Sequence, residues 1–178
     1  KNRPNVQMAL RVYGHQSAAL PPDCKDTRLE VPFGPGNSTA IREKLNRVQS
    51  KGATPIAYSL EQCAADFAPV PNTRNIVILI TDGLESCGGD PCAVSLQLQQ
   101  KGIILKPFII GLGLSVDAAH AFGCMGNYYD AVSTAALRQI FALIMRKIFS
   151  TTTCQVNLLD ESGNPSETDV PLTFYDVI

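Results

Sequence analysis

Residues 75–92 read NIVILITDGLESCGGDPC, and this stretch decides the fold class. Ile76, Val77, Ile78, Leu79 and Ile80 run without a polar break before Thr81, and Asp82-Gly83 follows at once. Such a run ending in a turn pair predicts a strand buried on both faces, of the kind found inside parallel sheets. An aspartate just past the carboxyl end of that strand faces the crevice where open α/β sheets bind ligands, which makes Asp82 a candidate site residue. Asp-Gly is also a common turn pair, and both roles stay open from the stretch alone.

Helices flank it on either side. Upstream, Thr54-Pro55 reads as a helix start, with Thr54 at the cap and Pro55 at the first helical position, where its missing N–H is harmless. Ile56, Leu60, Cys63, Ala64 and Phe67 form that helix's apolar stripe. Downstream, Asp90-Pro91 repeats the start signal for a helix to about Lys101. Leu105 to Gly111 reads as the next buried strand, Val116 to Phe122 as a short helix and Asn127 to Val132 as an edge strand. Thr134 to Phe149 reads as a long amphipathic helix carrying Leu137, Ile140, Phe141, Ile144 and Ile148. Nearer the amino terminus, Val6 to Tyr13 and Thr27 to Pro32 read as a loose antiparallel pair of strands. Ser38 to Val48 follows as a helix with Ile41, Leu45 and Val48 on its apolar face. Strands alternating with helices predict an α/β domain over residues 1–150, a doubly wound, mostly parallel sheet covered on both faces. After Ser150 the texture changes. Gln155 to Asp160 and Val170 to Val177 read as two strands joined by a long turn, the truncated start of an all-β, Ig-like sandwich domain over residues 151–178.

Composition excludes several classes. The chain of 178 residues is 45% hydrophobic and 17% charged, which is globular and not disordered. Its 15 Lys+Arg against 16 Asp+Glu leave no basic excess for nucleic-acid binding. The apolar runs around Ile76–Ile80 and Ile103–Leu114 are too short, or too broken by Lys106, Pro107 and Gly111, to span a bilayer. Lys1-Asn2-Arg3-Pro4 has neither a starting Met nor a signal-peptide core, so the sequence reads as an internal segment.

Six cysteines, Cys24, Cys63, Cys87, Cys92, Cys124 and Cys154, are many for a cytosolic domain. Zinc needs four converging ligands, and Cys87 with Cys92 has no second close pair and no nearby histidine. Disulfides in an extracytoplasmic setting (periplasm, cell surface or secreted) are the favoured use. Cys87 with Cys92 is the best single pair, Cys63 reads as a buried free thiol, and Cys124 is placed at the opposite sheet edge, within reach of Cys154.

The element order, together with the words RVYGH (11–15), TPIAYSLEQCAADF (54–67), NIVILITDG (75–83) and ESCGGDPC (85–92), resembles bacterial von Willebrand factor A (VWA) domains from their second strand onward. The resemblance implies a doubly wound sheet with a metal-ion-dependent adhesion site at its top. That site takes ligands from an Asp-x-Ser-x-Ser element after the first strand, a threonine before a helix and an aspartate after the fourth strand. Thr54 and Asp82 match the second and third. A hydroxyl and a carboxylate are hard oxygen donors suited to Mg²⁺, Ca²⁺ or Mn²⁺.

The chain departs from the family in lacking Asp-x-Ser-x-Ser, the first strand and the first helix. A sheet without its middle strand leaves buried backbone groups unpaired, so a preceding segment, a separate polypeptide or a neighbour must supply it. The cation is expected only when that element is supplied. The resemblance thus implies a non-enzymatic adhesion or assembly module that binds another protein through an acidic side chain. The loop Glu85–Cys92 would form its rim, stiffened by a Cys87–Cys92 bridge. The alternatives are a structural scaffold with a degenerate metal site and, less favoured, a hydrolase using His15 or His120 with Ser86, which lacks a nucleophile elbow.

Overall fold

The computed structural model describes residues 6–70, 73–103, 107–114 and 116–150. The strands expected within 151–178, and Cys154 with them, lie outside the described residues. The elements run β1 (Met8–Tyr13), β2 (Thr27–Gly34), α1 (Ser38–Leu45), α2 (Ile56–Asp66), β3 (Ile78–Thr81), α3 (Pro91–Gln100), β4 (Phe108–Gly111), α4 (Val116–Gly123), β5 (Asn127–Asp130) and α5 (Thr134–Ser150). Contacts divide the chain into one unit through Ile144 and a second from Met145, whose described residues are the end of α5.

The sequence-predicted order is present; β1, β3, β4 and β5 are shorter than expected, whereas β2 runs two residues beyond Pro32 to Gly34. β1 and β2 pair antiparallel, Tyr13 opposite Thr27 and Met8 opposite Gly34. β3, β4 and β5 form a parallel sheet in that order, with Ile78 opposite Phe108 and Phe108 opposite Asn127. The crossover helices α3 and α4 make this parallel arrangement possible.

A core cluster lies on one face of the parallel sheet, while Ile110, whose side chain alternates to the other face, and Ile144 of α5 are also fully buried. Leu79 of β3 and Ile109 of β4 meet Ile56 and Leu60 of α2, Leu98 of α3, Phe122 and Met125. Complete burial of a side chain the size of Ile109 contributes about 1.5–3 kcal/mol. The hairpin is fastened to α2 by two contacts. The Arg11 guanidinium donates to both Asp66 carboxylate oxygens at 2.7 Å, and the Phe33 and Phe67 rings sit 5.1 Å apart.

Three expectations are corrected here. β3 is not buried on both faces: Leu79 is buried but Ile80 is 40% exposed. The reason is topological, because β3 is an edge strand and the hairpin β1–β2 forms a separate sheet. Helix α1 buries none of its residues, and Leu45 of its expected apolar face is 52% exposed. A two-strand sheet offers too narrow a floor to cover it. Finally, Thr54 does not cap α2. The cap position is Pro55, and no side chain of its own segment takes the cap hydrogen bond. At α3, by contrast, Asp90 caps as expected, accepting from the Ala93 N–H at 3.0 Å ahead of Pro91.

Candidate functional site

The loops after β1, before α2 and after β3 converge at one end of the molecule. Gly14 makes the first approach possible. Its φ is 63°, and its carbonyl accepts from the N–H groups of Lys51 and Gly52, both at 2.9 Å. A Cβ at Gly14 would run into the carbonyl of Ala53, so only glycine lets the β1 loop lie against the segment that carries Thr54.

Two reciprocal hydrogen bonds then tie that segment to the loop after β3. The Thr54 N–H donates to the Ser86 hydroxyl at 2.7 Å, and the Ser86 N–H donates to the Thr54 carbonyl at 3.2 Å. Beneath them the buried Thr81 hydroxyl donates to the Gly83 carbonyl at 2.8 Å and shapes the turn that carries Asp82. As a result the Thr54 hydroxyl faces Gly83, the residue after Asp82: a Cβ built on Gly83 would lie 3.5 Å from Thr54 Oγ1. The two site residues singled out from sequence therefore sit on adjoining loops, Asp82 exposed and Thr54 half-buried.

Sequence reasoning missed Glu85. Its carboxylate accepts the Ala57 N–H at the start of α2 and the Cys87 N–H, each at 2.8 Å. A carboxylate at a helix amino terminus satisfies an otherwise orphaned donor and complements the helix dipole. The role expected of Thr54 is thus filled from a loop 28 residues away. No local pattern could have revealed it.

Both Glu85 carboxylate oxygens are thus engaged in holding the loop to α2. Among the described residues no group of three or more His, Cys, Asp or Glu side chains is placed to hold a metal ion. Thr54 and Asp82 suit a hard divalent cation in kind but not in number, since Mg²⁺ takes an octahedral shell of oxygens. Of the residues considered for hydrolysis, His15 Nε2 bonds Glu30 Oε1 at 2.7 Å and the Ser86 hydroxyl accepts from the Thr54 N–H.

The disulfides correct the expected pairing. Cys87 is joined not to Cys92 but to Cys24, with Cα atoms 5.5 Å apart, and Cys92 is joined to Cys124, with Cα atoms 5.6 Å apart. Cys124 therefore lies beside Cys92 and is not available to Cys154. The sequence neighbours Cys87 and Cys92 are separated because α3 begins at Pro91 and carries Cys92 toward the end of α4, while the loop before it turns to the hairpin. Cys63 is a free thiol, as expected. Burial, with Asp66 nearby, raises it to about 11.

The fold is VWA-like. The chain is similar to an aerotolerance-related membrane protein from Bacteroides fragilis NCTC 9343, determined with multiple mutations to serines. The TM-score is 0.62 at 15% identity, covering 82% of this chain and 81% of that one. It is also similar to the conserved hypothetical protein BatB from Bacteroides thetaiotaomicron, with a TM-score of 0.60 at 13% identity, covering 82% and 80%. In sequence it is 31% identical over 149 residues to the uncharacterized protein YwmD of Bacillus subtilis strain 168, covering 76% of this chain and 65% of YwmD. It is 25% identical over 146 residues to YwmC of the same organism, covering 76% and 63%. The chain thus spans just under two-thirds of the length of these relatives. No family model matches it.

Proposed function

We propose that the chain is a non-enzymatic protein–protein interaction module of VWA type that works outside the cytoplasm. Its binding site is the end of the sheet where Thr54 meets the Asp82-Gly83 turn. The observation that carries this reading is the pair of Thr54–Ser86 hydrogen bonds, which bring a hydroxyl and a free carboxylate together on adjoining loops. Thr54 Oγ1 and the Asp82 carboxylate would hold a Mg²⁺, Ca²⁺ or Mn²⁺ ion once an Asp-x-Ser-x-Ser element completes the donor set. Bound there, the cation would supply an open position for a partner's acidic side chain.

The edges of β1 and β3 support a supplied strand. β4 takes the carbonyls of Val77 and Thr81, so the backbone groups of Ile78 and Ile80 point the other way. On that side the Tyr13 hydroxyl, not a strand, bonds the Ile80 carbonyl. A tyrosine side chain plus a hydrogen bond spans on the order of two interstrand spacings of ~4.8 Å, the room one intervening strand occupies. A segment of the same polypeptide or of another chain fits this lane. Two disulfides accord with folding in an oxidising compartment, and among the described residues no helix is long and apolar enough to cross a membrane.

A second reading, a scaffold with a degenerate site, is favoured by the shortage of ligands among the described residues. Calorimetric titration with Mg²⁺ and Mn²⁺, with and without a peptide carrying an apolar strand followed by Asp-x-Ser-x-Ser, separates the two. Binding that needs the peptide and is lost in Asp82→Ala supports the adhesion reading. No binding in either case leaves the scaffold.

A further inference from the structure

Beside the loop that carries Thr54 lies an open groove of about 190 Å³ lined by His15, Arg28, Glu30, Lys44, Arg47 and Lys51. Its charges do not balance. Four cations, Arg28, Lys44, Arg47 and Lys51, face one carboxylate, Glu30, and even with Glu43 on the adjoining surface the excess is two. This stands out on a chain whose net charge is -1. Glu30 is fully engaged: Arg28 Nη2 lies 2.6 Å and His15 Nε2 2.7 Å from Oε1, and the Lys44 ammonium closes on Oε2. The Asp26 carboxylate, behind the His15 ring, accepts from the Gln16 and Ser17 N–H groups and the Gln16 amide. Arg47 and Lys51 are exposed, and among the described residues no carboxylate lies within ion-pair distance of either.

We infer that this groove binds carboxylates of an acidic peptide segment, with Arg47 and Lys51 as the residues that take them and the Glu30 cluster as the support that fixes Lys44 and Arg28 behind them. A groove of this size admits one or two carboxylates and not the continuous backbone of a nucleic acid. The peptide assignment rests on the function proposed above, whereas the anion chemistry rests on the groove alone. Thr54 is three residues from Lys51, at most ~11 Å along the chain. Two acidic residues two positions apart in an extended segment lie ~7 Å apart on one face. One segment can therefore present one carboxylate to the groove and another to the Thr54–Asp82 end.

The test is fluorescence anisotropy of a labelled hexaglutamate peptide with the chain in EDTA at low salt, repeated with Mg²⁺. Saturable binding in EDTA that weakens as salt rises is expected, because exposed charges are screened. The Arg47→Glu/Lys51→Glu variant should weaken it at least tenfold, whereas Lys101→Glu/Arg138→Glu, the same charge change elsewhere on the chain, should not. Circular dichroism checks the fold, and Arg47→Gln/Lys51→Gln replaces the reversal if the latter misfolds. Equal binding by wild type and groove variants overturns the inference. So does binding that appears only with Mg²⁺ and ignores the groove variants, which the cation site alone would produce. Preference for inorganic phosphate or an oligothymidylate over the peptide, read by competition, likewise overturns the peptide assignment. Binding in EDTA that the groove variants abolish upholds the groove even where the metal titration fails.

Discussion

The hydroxyl of Tyr13 donates to the carbonyl of Ile80 across 3.3 Å, on the side of β3 turned away from β4. It joins the end of the antiparallel hairpin to the parallel sheet where the two sheets share no strand ladder. Burial holds the phenol above the ordinary tyrosine value, with Asp82 and Glu85 adding to the effect, so the group stays a neutral donor. Tyr13→Phe keeps the ring and removes the bond. A loss of about 1 kcal/mol is expected, read as a lower urea midpoint with an unchanged slope.

Glu85→Ala should cost about 1–2 kcal/mol, because it leaves the Ala57 and Cys87 N–H groups without their acceptor at a helix start. Thr54→Val, by contrast, should cost little in stability, since the Thr54 hydroxyl caps nothing and the bonds to Ser86 use its backbone. Thermal melts of the two variants side by side check the assignment. A Thr54→Val loss equal to that of Glu85→Ala would restore the threonine cap.

Acid should weaken the hairpin side of the molecule first. Burial pushes the Glu30 carboxyl up, but hydrogen bonds from Lys44, His15 and Arg28 outweigh it and hold it down at about 2, against 4.5 ordinarily. A carboxyl depressed in the folded state stabilises it above the unfolded value, and that contribution is lost as pH falls from about 4.5 toward 2. Asp26 is lowered too: burial opposes, but the Ser17 and Gln16 donors prevail, so it acts in the same direction. With Arg28 half-exposed and screened, Glu30 should account for about 2 kcal/mol of this loss. Urea titrations at several pH values should show a shallower acid slope for Glu30→Gln.

A non-reducing peptide map should recover Cys24 with Cys87 and Cys92 with Cys124. Replacing Cys24 and Cys87 by serine should cost about 2–4 kcal/mol, since the bridge closes a loop of 63 residues. Cys63, with its thiol raised to about 11, should resist alkylation at pH 8 until the chain is denatured. Rapid labelling of native Cys63 would contradict its half-buried position and raised thiol.

Periodicity, cap pairs and turn residues were enough to read the alternating α/β order, the helix start at Asp90-Pro91 and Asp82 as a candidate at the end of a strand, whereas Thr54 entered as its companion only through the resemblance to VWA domains. Each of those signals is written within a few neighbouring residues, where backbone preference and amphipathic spacing act. The links between segments had no such local trace. Cys24 with Cys87, Glu85 with Ala57, Tyr13 with Ile80 and the cation-rich groove around Glu30 join residues far apart in the chain. Only chain packing decides which side chains meet. That is why the apolar run at Ile76–Ile80 predicted burial on both faces, while the strand it forms stands at a sheet edge with Ile80 exposed. Hydrophobicity states what a strand can bury, and the tertiary structure decides which neighbours are there to cover it.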